Sequence, residues 1–437
     1  MSVRNMLVRL RRRFASAPLL LVGPVMCLVV GLAAGSAAAL LKWLIGHMSE
    51  AAHSMMGITH GNMLLILLPV VGIVLSGMFQ RYVLHRDIEH GSDRLKDALR
   101  RGDYYISPKL TYGPIVASTF TLGFGGSAGS EGPIATCGAA LGGNLSRWFG
   151  LGPDKVRIMI ACGAAAGIAG IFKAPVGGML FALEYLAVEL TTIPVIAILA
   201  TCLIASLTAY VLSGCVPDLS LLRYVPQSYG YLPAVLLLGI CCGLYAMYYN
   251  RTGMWERRRL EAMGNPWIRN LVSGASVGVI LFLFPALYGE GYGVIGQLMN
   301  MPGYTLGNYS PLYLLGSSGE GALLLLAAGM LLCKGIAAFS TNSGGGVAGD
   351  FAPTLFAGAI LGYVMVGVCR HCLGYEVPMP VLVLGGMAGV MAGAVRCPLM
   401  AIFITVEMTA AYEYLLPVTI AGLASYAVVR IAGLLRH

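Results

Sequence analysis

Charge is scarce in this sequence: Asp, Glu, Lys and Arg make up only 11% of its 437 residues, and histidine occurs seven times. A soluble domain of this size cannot cover itself with so few charged side chains, so soluble enzymes and solvated scaffolds are excluded. Catalytic signatures are missing as well. There is no His-Glu-x-x-His, no Gly-x-Ser-x-Gly with a suitable histidine, and no phosphate-cradling P-loop. Metal-assisted hydrolysis, serine-type acyl transfer and direct ATP drive therefore have no residues to run on, and neither enzymatic activity nor a cofactor is expected. His85-Arg-Asp-Ile-Glu-His90 has metal-like residue types, but its spacing fits no zinc site and reads as a solvated loop. The eleven cysteines lack both ligand spacing and a disulfide framework, which leaves packed thiols.

What is abundant is apolar length. The chain is 57% hydrophobic with a mean hydropathy of +0.79, and apolar runs such as Leu19 to Leu41, Met63 to Met78, Tyr231 to Tyr249 and Ala322 to Phe339 alternate with short polar patches. This predicts an all-α integral membrane protein with well over six spans in the bilayer, some too short to cross ~30 Å of hydrocarbon alone. Such segments must be broken or re-entrant helices packed inside protein, because lipid does not tolerate irregular backbone. The net charge of +9 is not a nucleic-acid surface, since it gathers in patches: Arg4, Arg9, Arg11, Arg12 and Arg13, then Arg251, Arg257, Arg258, Arg259 and Arg269, then Arg436. By the positive-inside rule these place both termini in the cytoplasm. The apolar run after the first patch is too long for a cleaved signal peptide. Residues 1–17 read as a basic cytoplasmic N-terminus and 18–437 as one membrane domain.

The chain also repeats itself. Gly163-Ala-Ala-Ala-Gly-Ile-Ala-Gly-Ile-Phe-Lys-Ala-Pro175 matches Gly386-Met-Ala-Gly-Val-Met-Ala-Gly-Ala-Val-Arg-Cys-Pro398 at an offset of 223 residues. The same offset carries Lys173 onto Arg396 and Glu184 onto Glu407, while a small shift upstream sets Gly132-Pro133 against Ala352-Pro353 and Glu131 against Phe351. Two related repeats are expected, about 63–213 and 267–435. Duplicated transporter modules are commonly inverted, with their site where broken helices converge near the midplane.

The helix starts carry the chemistry. Gly125-Gly-Ser-Ala-Gly-Ser-Glu-Gly-Pro133 is a glycine turn holding one carboxylate, with Pro133 suited to a first helical turn. A helix opening here aims free N–H groups and a positive dipole end at the spot, which attracts an anion. Glu131 is itself an anion, able to fill that place and be displaced, as a gate is. Further starts fall at Phe351 and within His90-Gly-Ser-Asp93. Sites built of partial charges bind an anion without trapping it.

At these residues the chain resembles the CLC family of chloride channels and chloride/proton exchangers, from about Leu19 to Arg430. Gly129-Ser-Glu-Gly-Pro133 is similar to the family's GREGP motif with Ser130 in place of Arg, and Gly349-Asp-Phe-Ala-Pro353 to GIFAP with Asp350 in place of Ile. Ala388 to Pro398 and Val406-Glu-Met-Thr409 resemble the segment that follows. The resemblance implies a homodimer in a prokaryotic inner membrane with one anion pathway per subunit, moving chloride or another small anion, with protons as the coupled partner. Glu131 is then the gating and proton-carrying residue. Phe351, Asp350 and Ala352, with Gly132 in the first repeat, are the implied anion-binding positions, and either His90 or Ser92 takes the place of the family's serine.

Departures from the pattern bear on the mechanism. The internal proton-accepting glutamate that exchangers commonly carry falls on Tyr185, beside Glu184; a phenol with a pKa of about 10 is a poor proton carrier at neutral pH. The family's inner tyrosine falls just past His437, with Tyr426 a weak substitute. An ionised Asp350 would repel an anion by ~1–4 kcal/mol across about 4 Å; it either caps the Phe351 helix or forms a second titratable gate. Exchange is the expected activity, with passive conduction and fluoride export as alternatives. Glu184 and Glu407 are expected to be buried structural carboxylates bonded to helix ends, with a place on the internal proton path, beside Tyr185, as the alternative for Glu184. Lys334 is expected to snorkel or line an aqueous vestibule, and Glu290 and Glu376 to sit in exposed turns.

Overall fold

The structure is a computed structural model that describes residues 19–56, 63–85, 88, 91–101, 105–188, 191–217, 219, 229–300, 311–312 and 320–435. Among them are sixteen α-helices and no strand. The first eight are α1 (Leu19–Met56), α2 (Leu64–Met78), α3 (Gly91–Arg101), α4 (Gly113–Gly123), α5 (Glu131–Trp148), α6 (Pro153–Phe172), α7 (Pro175–Leu180) and α8 (Thr192–Leu212). Then follow α9 (Leu232–Glu261), α10 (Pro266–Leu283), α11 (Tyr292–Asn300), α12 (Glu320–Ser343), α13 (Phe351–Leu373), α14 (Met379–Val395), α15 (Pro398–Met408) and α16 (Leu415–Leu434). Nine helical stretches among the described residues are long and apolar enough to cross a bilayer, as a multi-pass membrane protein requires. Others are not: the 11 residues of α15 rise only ~16 Å, about half the hydrocarbon thickness.

The broken helices have a local cause that recurs. α6 ends at Lys173 in the left-handed region (φ 53°) and α14 at Arg396 likewise (φ 64°). Two residues on, Pro175 and Pro398 open α7 and α15 at a position where a missing N–H does no harm. Past these short helices Ala187 and Ala410 again take positive φ, 56° and 51°. Both pairs stand at the 223-residue offset read from the sequence, so the repeat is one of backbone conformation as well as residue type.

The chain divides into two compact units. The first holds α1 up to Trp43, α3 and α5 to α8. Its centre is the α5–α6 crossing, where a Cβ on Gly138 or Gly163 would overlap the carbonyl of the other. Small residues let helix backbones touch where lipid offers no hydrophobic drive to bring them together. α6 is buried from Met159 to Phe172. α1 meets α8 in the same manner, Gly35 against the backbone of Ala205.

The second unit holds the end of α1 from Leu44, α2, residues 117–130 and α9 to α16. Its α13–α14 crossing copies the first: Gly358 and Gly386 each lie against the other's carbonyl. α9 packs on α16 through Gly239 and Gly243, and α10 on α2 through Gly274 and Gly278. Between α9 and α12, Ser340 Oγ donates to the buried Glu256 Oε1 at 2.7 Å, so that acid has a neutral partner as well as Arg259 at 3.3 Å.

Candidate functional site

Two glycine loops, one after α4 and one after α12, form the centre of the second unit. Each begins with a threonine at the end of its helix and turns on a glycine that must be glycine: Gly125 (φ 97°) and Gly345 (φ 105°). In each, the next N–H returns to the threonine carbonyl, Gly126 to Thr121 O at 2.8 Å and Gly346 to Thr341 O at 3.1 Å. The loops then exchange hydrogen bonds. Ser127 N donates to Thr341 Oγ1 at 3.2 Å, and Val347 N donates to Thr121 Oγ1 at 3.0 Å. Gly129 and Gly349 pair as an antiparallel bridge, N to O at 2.9 Å in one direction and 2.6 Å in the other. Equivalent positions of the two loops (Thr121 and Thr341, Gly125 and Gly345, Gly129 and Gly349) are 220 residues apart, and the bonds between them are reciprocal, so a local two-fold relation runs between the loops.

That pairing fixes where the two helices begin. Two residues beyond Gly129 is Glu131, first residue of α5, and two beyond Gly349 is Phe351, first residue of α13. Glu131 is 2% exposed, Phe351 6%, and Gly132 and Ala352 are buried behind them. Pro133 and Pro353 remove one N–H from each first turn, leaving the others to a ligand or a neighbour.

The caps differ from expectation. Asp350 stands at the N-cap of α13 but makes no capping bond with its side chain; Oδ1 accepts instead from Asn342 Nδ2 at 2.5 Å. Glu290, expected in an exposed turn, is half-buried and reaches the other loop, accepting from Ser130 N at 2.9 Å and Ser130 Oγ at 2.5 Å. It can do so because Gly289 and Gly291 on either side take positive φ, 62° and 82°. The same segment supplies Tyr288, whose ring lies against Gly125 and whose hydroxyl donates to Gly123 O at 2.8 Å. Burial pushes that phenol up to about 12, so it stays a donor at physiological pH. Lys334 does not snorkel. It is 0% exposed, donates from Nζ to Ser127 Oγ at 2.9 Å, and lies 4.8 Å from the centre of the Phe356 ring.

Other positions singled out in the sequence lie elsewhere. Ser92 is in the first turn of α3; His90 lies outside the described residues. Glu184 and Tyr185 end a π-helical turn, Phe181–Tyr185, and both are half-buried. The Tyr185 ring stacks on Phe181 at 5.1 Å, and Lys96 Nζ sits 4.7 Å from the centre of the Tyr185 ring. Glu407 is also half-buried and accepts from Tyr412 OH at 3.3 Å, so neither repeat-related glutamate is the fully enclosed carboxylate expected. Tyr426 is half-buried on α16, 6.0 Å from the Arg430 guanidinium, and Glu376 is exposed as expected. Three contributors, Thr121, Thr341 and Lys96, do not stand out in the sequence, and Glu290 stands out there only as an exposed turn residue. The threonines had a signal, since Thr-x-x-x-Gly-Gly-x-Ala-Gly occurs at both 121–129 and 341–349.

The comparisons with characterised proteins agree with this architecture. Residues 71–430 match the family model described as "Voltage gated chloride channel". A putative chloride channel protein, ClcB-like, from Ralstonia nicotianae is 28% identical over 84% of this chain and 83% of its own length. An H(+)/Cl(-) exchange transporter, ClcA, from Vibrio vulnificus is 28% identical over 71% of this chain, a match that spans 65% of the exchanger. In fold, the crystal structure of a slow cyanobacterial Cl-/H+ antiporter superposes with a TM-score of 0.80 at 24% identity, over 94% of this chain and 95% of that one. With its family model matched across most of its length and its paired loops opening α5 and α13, the chain belongs to the voltage-gated chloride channel (CLC) family.

Proposed function

We propose that this protein moves chloride, or a small anion of the same class, across the membrane, with Glu131 as the gate and protons as the exchanged partner. The observation that carries the proposal is the reciprocal pairing of the two Thr-Gly-Gly loops, which sets two helix N-termini two residues beyond one shared bridge. The N–H groups and positive dipole end of a helix N-terminus favour an anion. A carboxylate stands first in one of those helices and an apolar ring in the other. An arriving anion competes with the carboxylate, and protonation of Glu131 removes the competing charge, which links anion movement to proton movement. Subunits act as a homodimer in the inner membrane with cytoplasmic termini, a state that mass measurement in detergent and accessibility labelling of the termini would check.

A second reading, anion flow without proton coupling, has its own support. Tyr185, which stands where a proton-accepting carboxylate is expected, has the Lys96 ammonium against its ring. A cation–π contact stabilises that ammonium, and a fixed positive charge there opposes a proton. The deciding experiment is proton movement into liposomes holding the purified protein, driven by a chloride gradient under a clamped potential. Uphill proton movement that disappears in Glu131→Gln establishes exchange; chloride flux without it establishes conduction, and no chloride flux at all rejects the proposal.

A further inference from the structure

We propose that Lys334 is the fixed cation of the anion site, supplying from α12 the positive charge that the loop before α5 lacks at Ser130; this rests on the anion-transport reading above. The ammonium lies wholly inside the second unit and grips the first glycine loop through Ser127 Oγ at 2.9 Å. Ser127 passes its own proton to Leu287 O at 2.6 Å, so its hydroxyl is oriented with a lone pair toward Lys334. Two residues along the same loop is Gly129, hydrogen-bonded in both directions to Gly349, and two beyond Gly349 is Phe351. The ammonium also lies 4.8 Å from the centre of the Phe356 ring, in the second turn of α13. Lys334 is thus tied to both the loop that leads to α5 and the helix that starts at Phe351.

A buried ammonium is a costly way to hold a loop. Removing such an ion from water costs several kcal/mol, and a hydrophobic side chain of similar volume packs a membrane interior at least as well. Ionisable residues at membrane depth accordingly mark ion pathways more often than packing. Around Lys334 the run Leu331-Leu-Cys-Lys-Gly-Ile336 is otherwise apolar. Nearby, Glu290 accepts from Ser130 and Asp350 accepts from Asn342. Helix N-termini offer partial charges only; Lys334 adds one full charge, raising affinity for the anion while the flexible gate decides when it is occupied.

The test is the chloride dependence of flux in proteoliposomes and chloride titration calorimetry on the purified protein, for wild type, Lys334→Met, Lys334→Arg and Ser127→Ala. Lys334→Met should raise the half-saturating chloride concentration about tenfold, the equivalent of ~1.4 kcal/mol, with little change in maximal rate. Lys334→Arg should stay within about threefold of wild type, because it keeps the charge. Adding Ser130→Arg to Lys334→Met should recover most of the lost affinity by placing a guanidinium on the same loop. Unchanged half-saturation in a folded Lys334→Met overturns the proposal. If Lys334→Met does not fold, Ser127→Ala decides: it releases the ammonium from the loop and should weaken chloride about threefold, and an unchanged value again overturns the proposal. A wild type with no chloride flux would instead reject the transport reading itself.

Discussion

The two loops that open α5 and α13 have the same backbone and opposite side chains. Each turns on a positive-φ glycine, returns a hydrogen bond to its threonine, and donates to the other loop's threonine hydroxyl. Beyond that shared frame one helix begins with Glu131 and the other with Phe351. Under the anion-transport proposal, only the helix that begins with a carboxylate would respond to protons and to competing anions, and the difference between Glu131 and Phe351 is what would make a gate.

The largest expected effect breaks that asymmetry directly. Glu131→Gln should remove the pH dependence of anion flux altogether, whereas Phe351→Leu should keep the pH dependence and change the rate only. Flux into proteoliposomes at acid and neutral pH measures both. Persistence of the pH dependence in Glu131→Gln would move the gate elsewhere.

Next come the helix crossings that hold each half. Gly138→Ala and Gly358→Ala each force a Cβ into a backbone carbonyl of the neighbouring helix, Gly163 in one case and Gly386 in the other. Overpacking of this kind should cost about 1–3 kcal/mol in either repeat, seen as similar losses of thermal stability in detergent. A large loss in one and none in the other would show that the repeats are equivalent in sequence but not in load. Smaller effects belong to the threonines. Thr121→Ala and Thr341→Ala each delete a hydroxyl that donates within its helix and accepts from the opposite loop, at about 1–2 kcal/mol apiece. Because the loops share both bonds, the double variant should lose less than the sum of the singles.

Much of this was legible in the sequence for physical reasons. Apolar length with scarce charge leaves only membrane helices, and the Gly, Pro and basic positions recurring at 223 residues foretold the matching helix breaks at Lys173 and Arg396. Glu131 stood out because a carboxylate flanked by glycines in an apolar chain has few structural uses. Long-range partners were another matter. Glu290 sits in a turn whose glycines look like surface punctuation, and nothing nearby in sequence reveals that it accepts from Ser130, 160 residues away. Lys334 drew notice as a charge in an apolar run, but only the fold reveals that it points inward to Ser127 and Phe356 instead of outward to water. Likewise Lys96 and Tyr185 meet through the packing of α3, not through any spacing in the chain.

The smallest expected effect asks whether the second loop carries a titratable group in reserve. Asp350 occupies the N-cap of α13, yet its side chain accepts from Asn342 and makes no capping bond to the helix. Asp350→Asn keeps an oxygen for Asn342 and removes only the charge. If Asp350 is ionised beside the anion, the change should lower half-saturating chloride about fivefold, since one unit charge partly screened by solvent acts with ~1 kcal/mol. Helix stability should barely move, because no cap is lost. Combining it with Glu131→Gln separates the remaining roles: pH dependence that survives Glu131→Gln and vanishes in the double variant would make Asp350 a second gate. A flux already independent of pH in Glu131→Gln leaves Asp350 without a titrating role, and its effect on half-saturating chloride then reports its charge alone.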